Sequence, residues 1–214
     1  MNDTAAQTIS VIGAGAWGTA LAQSLANKGS PVTLWAREKA LAEDINAARE
    51  NAAYLPGILL SDNITATGSL ETAAKSTILL IVCPAQHVRT LLESLKPFVF
   101  SQHTLVLCSK GIELDSLKFM SDVSQEILPN VSIAVLTGPN FAHEIAQGQP
   151  AATTLACTDP VRAKMLQEAI GSKVFRPYVT DDIIGAQVAG ALKNVIAIAC
   201  GMAQGLGFGE STRA

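Results

Sequence analysis

Short, almost wholly apolar runs alternate with longer helical patterns along most of this 214-residue chain, and that alternation narrows the fold more than any other feature. ISVIG precedes AWGTALAQSLANKG, and SPVTLWAR precedes KALAEDINAAREN. After a loop with Tyr54, Pro56 and Gly57, NITAT precedes SLETAAKS. The pattern continues through TILLIVC, the helix QHVRTLLESL, HTLVLCS, the helix LKFMSDVSQEIL and VSIAVLTG. Strands that are apolar without alternation belong to a parallel sheet buried on both faces by helices, which places the chain in the α/β class. AATTLAC and KVFRPYVT then flank a helix opened by Asp159 and Pro160, and proline suits the first helical turn. From Asp181 onward strand signals stop, and DDIIGAQVAGALKNVIAIACGMAQGLG reads as one long helix of small residues starting on an acidic pair.

Between the first strand and the first helix stands Gly13-x-Gly15-x-x-Gly18. Gly13 allows a tight turn, Gly15 lets a pyrophosphate approach the backbone, and Gly18 lets the helix pack closely, while free amides and the helix dipole face the anion. The strand before and the helix after make a dinucleotide site the reading of choice over a mere tight turn. The fold expected is a Rossmann-type, mostly parallel sheet over residues 1–182, followed over residues 183–214 by the first helix of an incomplete all-α domain. Where an NAD site usually places an acidic residue, LWAR places Arg37, whose guanidinium can grip a 2′-phosphate. NADP(H), or both cofactors, is therefore expected with NADP(H) slightly preferred. The alternative is a solvated arginine, its preference softened by Glu38.

Composition excludes other partners. Fifteen basic against 18 acidic residues give a net charge of −3, and no basic block points to nucleic acid or an anionic membrane. MNDTAAQ lacks the basic start and apolar stretch of a leader, and the apolar run VIAIACGMA is half the length a bilayer crossing needs. The four cysteines, Cys83, Cys108, Cys157 and Cys200, show no CxxC spacing and read as reduced core residues of a cytoplasmic protein. A small-molecule partner is expected, and no metal.

The chemistry should lie where strands end in open parallel sheets. Three ends stand out: Pro84, Gln86 and His87 after TILLIVC, Lys110 after LVLCS, and Gly138, Pro139 and Asn140 after AVLT. A lysine directly after a buried run calls for an anionic or carbonyl partner. His87 and His143 read equally well as surface or capping residues, and His103 lies in a polar turn with no assigned role. Lys193 and Asn194 interrupt an apolar helix. A partly desolvated lysine there loses its proton more readily, which suits a general acid or base.

Together GAGAWGTALA, LWAR, NAAYLPG, VCPAQHV, CSKGIE, TGPNFAHEIA and VAGALKNVIAIACGMAQGLGFG resemble bacterial NAD(P)-dependent glycerol-3-phosphate dehydrogenase, in order and across the whole chain. The resemblance implies reversible reduction of dihydroxyacetone phosphate to sn-glycerol 3-phosphate, supplying glycerophospholipid synthesis, in a cytoplasmic, usually dimeric enzyme. It implies that Lys193 donates and accepts the proton, with Asn194 supporting it by hydrogen bonding. Lys110 would touch both cofactor and substrate, and Gly138 and Asn140 the substrate. Ala16, Trp17 and Arg37 would line the pyrophosphate and adenosine parts of the cofactor site, and Ala142, Gln86 and His87 the nicotinamide end. Asn140 departs from the serine or threonine common in the family. The family also continues past the equivalent of residue 214 into helices that grip the substrate phosphate, so a truncated chain is expected, with the apolar faces of VIAIACGMA seeking a partner chain. Two alternatives remain: a β-hydroxyacid dehydrogenase of the same architecture, and a cofactor-binding fragment without turnover.

Overall fold

A computed structural model describes residues 8–213, so the leaderless reading of MNDTAAQ lies outside the described residues. β1 (Ile9–Ile12) runs into α1 (Ala16–Ala26), β2 (Val32–Trp35) into α2 (Lys39–Ala48), and β3 (Ile64–Thr67) into α3 (Leu70–Ala73). β4 (Ile78–Ile81) passes through a 3-10 turn at Ala85–His87 into α4 (Val88–Leu95), and β5 (Thr104–Leu107) leads to α5 (Met120–Ile127). β6 (Ser132–Thr137) leads to α6 (Ala142–Ala146), β7 (Ala151–Ala156) to α7 (Pro160–Ile170), and β8 (Phe175–Thr180) to α8 (Ile183–Gly205) and α9 (Glu210–Arg213).

The strands form one sheet in the order β3-β2-β1-β4-β5-β6-β7-β8. After β3 the chain returns past β1 to place β4 on its other side, so β1 and β4 bracket the point where the winding reverses. Ligands of such sheets bind there, outside the carboxyl ends of the strands. β1, β4 and β5 are buried along their whole length, as expected for a sheet covered on both faces. One face packs Val11, Leu34, Leu80 and Val106 under α1, α2 and α7; the other packs Ile12, Ile81 and Leu107 under α4 and α5.

Local differences from the sequence reading have identifiable causes. β7 runs antiparallel to β6, and β8 follows β7 in parallel. The intervening α6 has five residues, about 7 Å of rise, too little to carry the chain back along a six-residue strand, so β7 starts from the edge where β6 ends. The helix expected over 39–51 stops at Ala48, because Arg49 is left-handed at φ 54° and sends its guanidinium to the Ile64 and Ser61 carbonyls. The helix expected from residue 117 begins at Met120, because Leu117 is left-handed at φ 56° in a turn closed by Glu113 and Lys118. His103 sits in a turn but is buried, accepting from the Phe100 amide and bonding through Nε2 to the Ala74 carbonyl at 2.9 Å.

α8 departs most. Asp182 caps it by accepting from the Gly185 amide at 2.7 Å, yet Ala186 and Gln187 are its only fully buried residues. Cys200 is consequently exposed rather than part of a core, whereas Cys108 and Cys157 are buried and Cys83 is half-buried. Although the uninterrupted apolar run is short, the 23-residue helix as a whole contains a window of mean hydropathy 1.7. It is thus long and apolar enough to cross a bilayer by length and composition.

Candidate functional site

The glycine-rich turn shows what each glycine is for. Gly13 has φ 128°, and a Cβ there would lie 2.1 Å from the Val82 carbonyl oxygen, so the turn must press against the end of β4. A Cβ on Gly18 would lie 1.8 Å from the Gly13 carbonyl oxygen, which lets α1 close onto the turn. A Cβ on Gly15 would meet nothing within 4 Å, and Gly15 offers no side-chain cap to the α1 amides. The turn borders a cavity of about 560 Å³ lined by Gly13, Gly15, Arg37, Tyr54, Pro84 and His87, among others. The cavity's size, the open approach at Gly15 and the uncapped helix start fit a dinucleotide with its pyrophosphate at the turn.

Arg37 stands exposed at this cavity and pairs with Glu38 at 2.7 Å. The hydrogen bond to Glu38 raises the arginine's pKa and lowers that of the glutamate. Ala16 begins α1, and Trp17 is partly buried against the core; neither lines the cavity. Ala142 starts α6 and packs partly buried against the same core. Gln86 also turns away from the cavity, donating to the Ile112 carbonyl at 2.8 Å and accepting from the Leu114 amide at 3.1 Å.

Those Gln86 bonds belong to a clasp between the chain after β4 and the chain after β5. Ser109 Oγ donates to the Cys83 carbonyl at 2.5 Å, and Arg89 grips both carboxylate oxygens of Glu113 at 2.9 and 2.8 Å. Gly111, at φ 140°, lets the two chains meet, since a Cβ there would come 2.9 Å from Ala85 Cβ. Lys110 stands between Ser109 and Gly111 of this clasp, exposed, and donates through Nζ to the Gly138 carbonyl at 2.8 Å. Burial pushes the Cys83 thiol up to about 11 and raises Cys108 further, so neither offers a thiolate.

At the end of β6 the remaining candidates gather. A Cβ on Gly138 would lie 2.7 Å from Asn140 Oδ1, and Asn140 Nδ2 donates to the Ala152 carbonyl at 2.8 Å. Asn140 Oδ1 is buried without a hydrogen-bond partner among the described residues. Gly190 brings α8 across this edge, because a Cβ there would sit 3.0 Å from Thr137 Oγ1 and 3.6 Å from Lys110 Cγ. One turn further along, Lys193 Nζ lies 5.6 Å from the centroid of the Phe141 ring. Partial desolvation, then the Lys193 charge, holds the Lys110 pKa below the ordinary lysine value. Lys193 itself is exposed rather than partly buried as the sequence led us to expect, because most of α8 is uncovered. No hydrogen bond joins it to Asn194 among the described residues, since adjacent helical side chains diverge. Two ammonium groups at one sheet edge, beside backbone carbonyls, can hold a phosphorylated or carbonyl-bearing substrate.

The family model for the NAD-dependent glycerol-3-phosphate dehydrogenase N-terminus matches residues 8–163, and that for its C-terminus matches residues 182–214. The chain belongs to the NAD-dependent glycerol-3-phosphate dehydrogenase family. It is 51% identical over 206 residues to glycerol-3-phosphate dehydrogenase [NAD(P)+] of Parvibaculum lavamentivorans, covering 96% of this chain and 62% of that relative. It is likewise 51% identical over 213 residues to glycerol-3-phosphate dehydrogenase [NAD(P)+] 2 of Mycobacterium bovis, covering 98% and 64%. The crystal structure of the Coxiella burnetii glycerol-3-phosphate dehydrogenase superposes with a TM-score of 0.89 at 33% identity, covering 97% of this chain and 64% of that one. The chain thus spans about three fifths of the length of these glycerol-3-phosphate dehydrogenases.

Several residues that shape this site escaped the sequence reading: Asn51, Ser109, Thr137 and Gly190, with the Arg89–Glu113 pair. Each acts across 16 or more residues of sequence or through a close backbone approach, which composition and periodicity do not encode. Asn51 lay in NAAYLPG, Ser109 and Glu113 in CSKGIE, Thr137 in TGPNFAHEIA and Gly190 in VAGALKNVIAIACGMAQGLGFG, each as a motif member with no role attached.

Proposed function

We propose that this chain is the nucleotide-binding and catalytic-lysine portion of an enzyme that reversibly reduces dihydroxyacetone phosphate to sn-glycerol 3-phosphate with NADP(H) or NAD(H). The observation that carries the reading is the clasp. It fixes Lys110 beside the Cys83–His87 turn that lines the cofactor cavity, while α8 brings Lys193 to the same edge.

When bound, the nicotinamide supplies or takes up the hydride. Gly13, Gly15 and the start of α1 hold its pyrophosphate, with Ala16 and Trp17 at the first turn, and Arg37 takes the adenosine 2′-phosphate. His87, Gln86 and Ala142 bound the nicotinamide end, Gln86 by fixing the chain beyond Lys110. Gly138 and Asn140 orient the substrate, Asn140 by holding the loop in place through its bond to the Ala152 carbonyl. In the reducing direction Lys193 would give a proton to the substrate's carbonyl oxygen, and in the reverse direction it would take the hydroxyl proton back. Lys110 stabilises the negative charge that develops on that oxygen.

The same proposal places residues 1–182 as the nucleotide domain and reads α8 as the opening of a helical domain rather than a membrane span. It further makes the enzyme a cytoplasmic homodimer that supplies glycerol phosphate to lipid synthesis. The test is loss of reduced-nicotinamide absorbance on adding dihydroxyacetone phosphate, with NADPH and NADH in parallel. It is run on this chain and on this chain joined to the C-terminal part of the Parvibaculum relative. Oxidation that depends on this substrate and is mostly lost in Lys193→Ala, with cofactor affinity retained, is expected of the joined form. Cofactor binding without oxidation in either form overturns the activity.

A further inference from the structure

Asn51 is completely buried, and each of its side-chain polar atoms is engaged. Its Nδ2 donates to the Ala14 carbonyl and to Thr19 Oγ1, both at 2.8 Å, and its Oδ1 accepts from the Tyr54 amide at 3.3 Å. The partners belong to two different walls of one cavity. Ala14 and Gly15 form the glycine-rich turn, whereas Tyr54 lies on the loop between α2 and β3 and lines the cavity from the other side.

The bond to Ala14 has a geometric consequence. A trans peptide sets its carbonyl and the following N–H on opposite sides of the bond. With the Ala14 carbonyl drawn inward onto Asn51, the Gly15 N–H faces the other way, toward the side where a Cβ on Gly15 would meet no atom within 4 Å. Thr19, the second acceptor, also donates its own amide to the Gly15 carbonyl at 2.9 Å, so the peptides on both sides of Gly15 are anchored to one small network. The turn loop closes on itself as well, the Asn51 carbonyl accepting from the Leu55 amide at 2.8 Å.

We infer that Asn51 is a positioning residue for the cofactor: it fixes the Ala14–Gly15 peptide so that the Gly15 amide is presented to the pyrophosphate, and it locks the Tyr54 loop in register with that turn. This rests on the dinucleotide reading of the cavity. Aspartate is the discriminating replacement, because Asn51→Asp keeps an acceptor for the Tyr54 amide but loses both donors and sets a carboxylate against the Ala14 carbonyl.

The test compares two ligands by calorimetry, NADPH and adenosine 2′-monophosphate, which carries the adenosine end without the pyrophosphate. Asn51→Asp should weaken NADPH by about tenfold or more while changing adenosine 2′-monophosphate by less than about twofold. A loss shared equally by both ligands, or no loss, overturns the role of Asn51. Hydrogen exchange on the unaltered protein decides the matter should the variant fail to fold: NADPH, and not adenosine 2′-monophosphate, should slow exchange of the Gly15 amide. An unchanged Gly15 amide in the presence of bound NADPH overturns the inference on its own. If the unaltered protein binds no NADPH, the cofactor reading fails first and the role of Asn51 falls with it.

Discussion

Gly13 and Gly15 lie two residues apart in one turn and meet opposite surroundings, which separates their contributions to folding and to binding. A methyl group on Gly13 would collide with backbone at the end of β4 in a conformation that L-residues rarely adopt. Gly13→Ala should therefore destabilise the protein by about 2 kcal/mol or more in denaturant titration. At Gly15, with φ −72° and no neighbouring atom, alanine should cost under about 1 kcal/mol and yet obstruct the cofactor's approach. A Gly15→Ala protein that melts like the parent and still binds NADPH equally well would show that the pyrophosphate lies elsewhere. Arg37 offers a second contrast. It is exposed and, among the described residues, its ion pair is with Glu38, so Arg37→Asp should leave stability nearly unchanged while shifting the NADPH-to-NADH ratio of kcat/KM toward NADH. An unmoved ratio would remove Arg37 from the 2′-phosphate site.

At the level of elements, the strands and long helices were legible because each carries its own pattern. ILLI and TLVL are buried on both faces and, Thr104 apart, wholly apolar, while Asp159 and Asp182 announce the helices they cap. The glycine-rich turn was legible for the same reason, since its three constraints fall within six residues. What stayed hidden depends on where separate loops meet. The reversal of β7 follows from the shortness of α6, and the clasp around Lys110 needs Gln86 and Arg89 to find partners 24 to 28 residues away. Exposure of Lys193 was hidden too, because the sequence of α8 shows an apolar helix and not what covers it. The clasp predicts a pH dependence. The Arg89 hydrogen bonds, then Ser116, hold the Glu113 carboxyl down to about 2, so it ionises more readily in the folded protein than in the unfolded chain. Its contribution is complete above the ordinary carboxylate range and is lost as the pH falls from about 4.5 toward about 2. The melting temperature should drop across that window, and Glu113→Gln should flatten the drop. Equal slopes in the two proteins would mean that the clasp contributes no acid-sensitive stability.

For the molecule as a whole, the decisive contrast is between a sheet buried on both faces and a long helix, α8, that is apolar nearly all round but almost uncovered. Leu192, Val195, Ile196, Ile198 and Met202 are all exposed, in a helix whose composition belongs to a protein interior. Water contact on that much apolar side chain is unfavourable, and a second α8 is a partner of matching chemistry always present at the protein's own concentration. Sedimentation velocity should therefore show concentration-dependent association of this chain. Val195→Glu combined with Ile198→Glu should return it to a monomer, because each carboxylate would have to be desolvated in the contact. The nucleotide cavity lies at the β1–β4 edge and is lined by no α8 residue, so NADPH affinity should survive both substitutions. A monomer at every concentration, with α8 residues giving no response to dilution, would place the covering surface on other parts of a longer polypeptide. Association that persists in the double variant would move the contact to another face of the sheet domain.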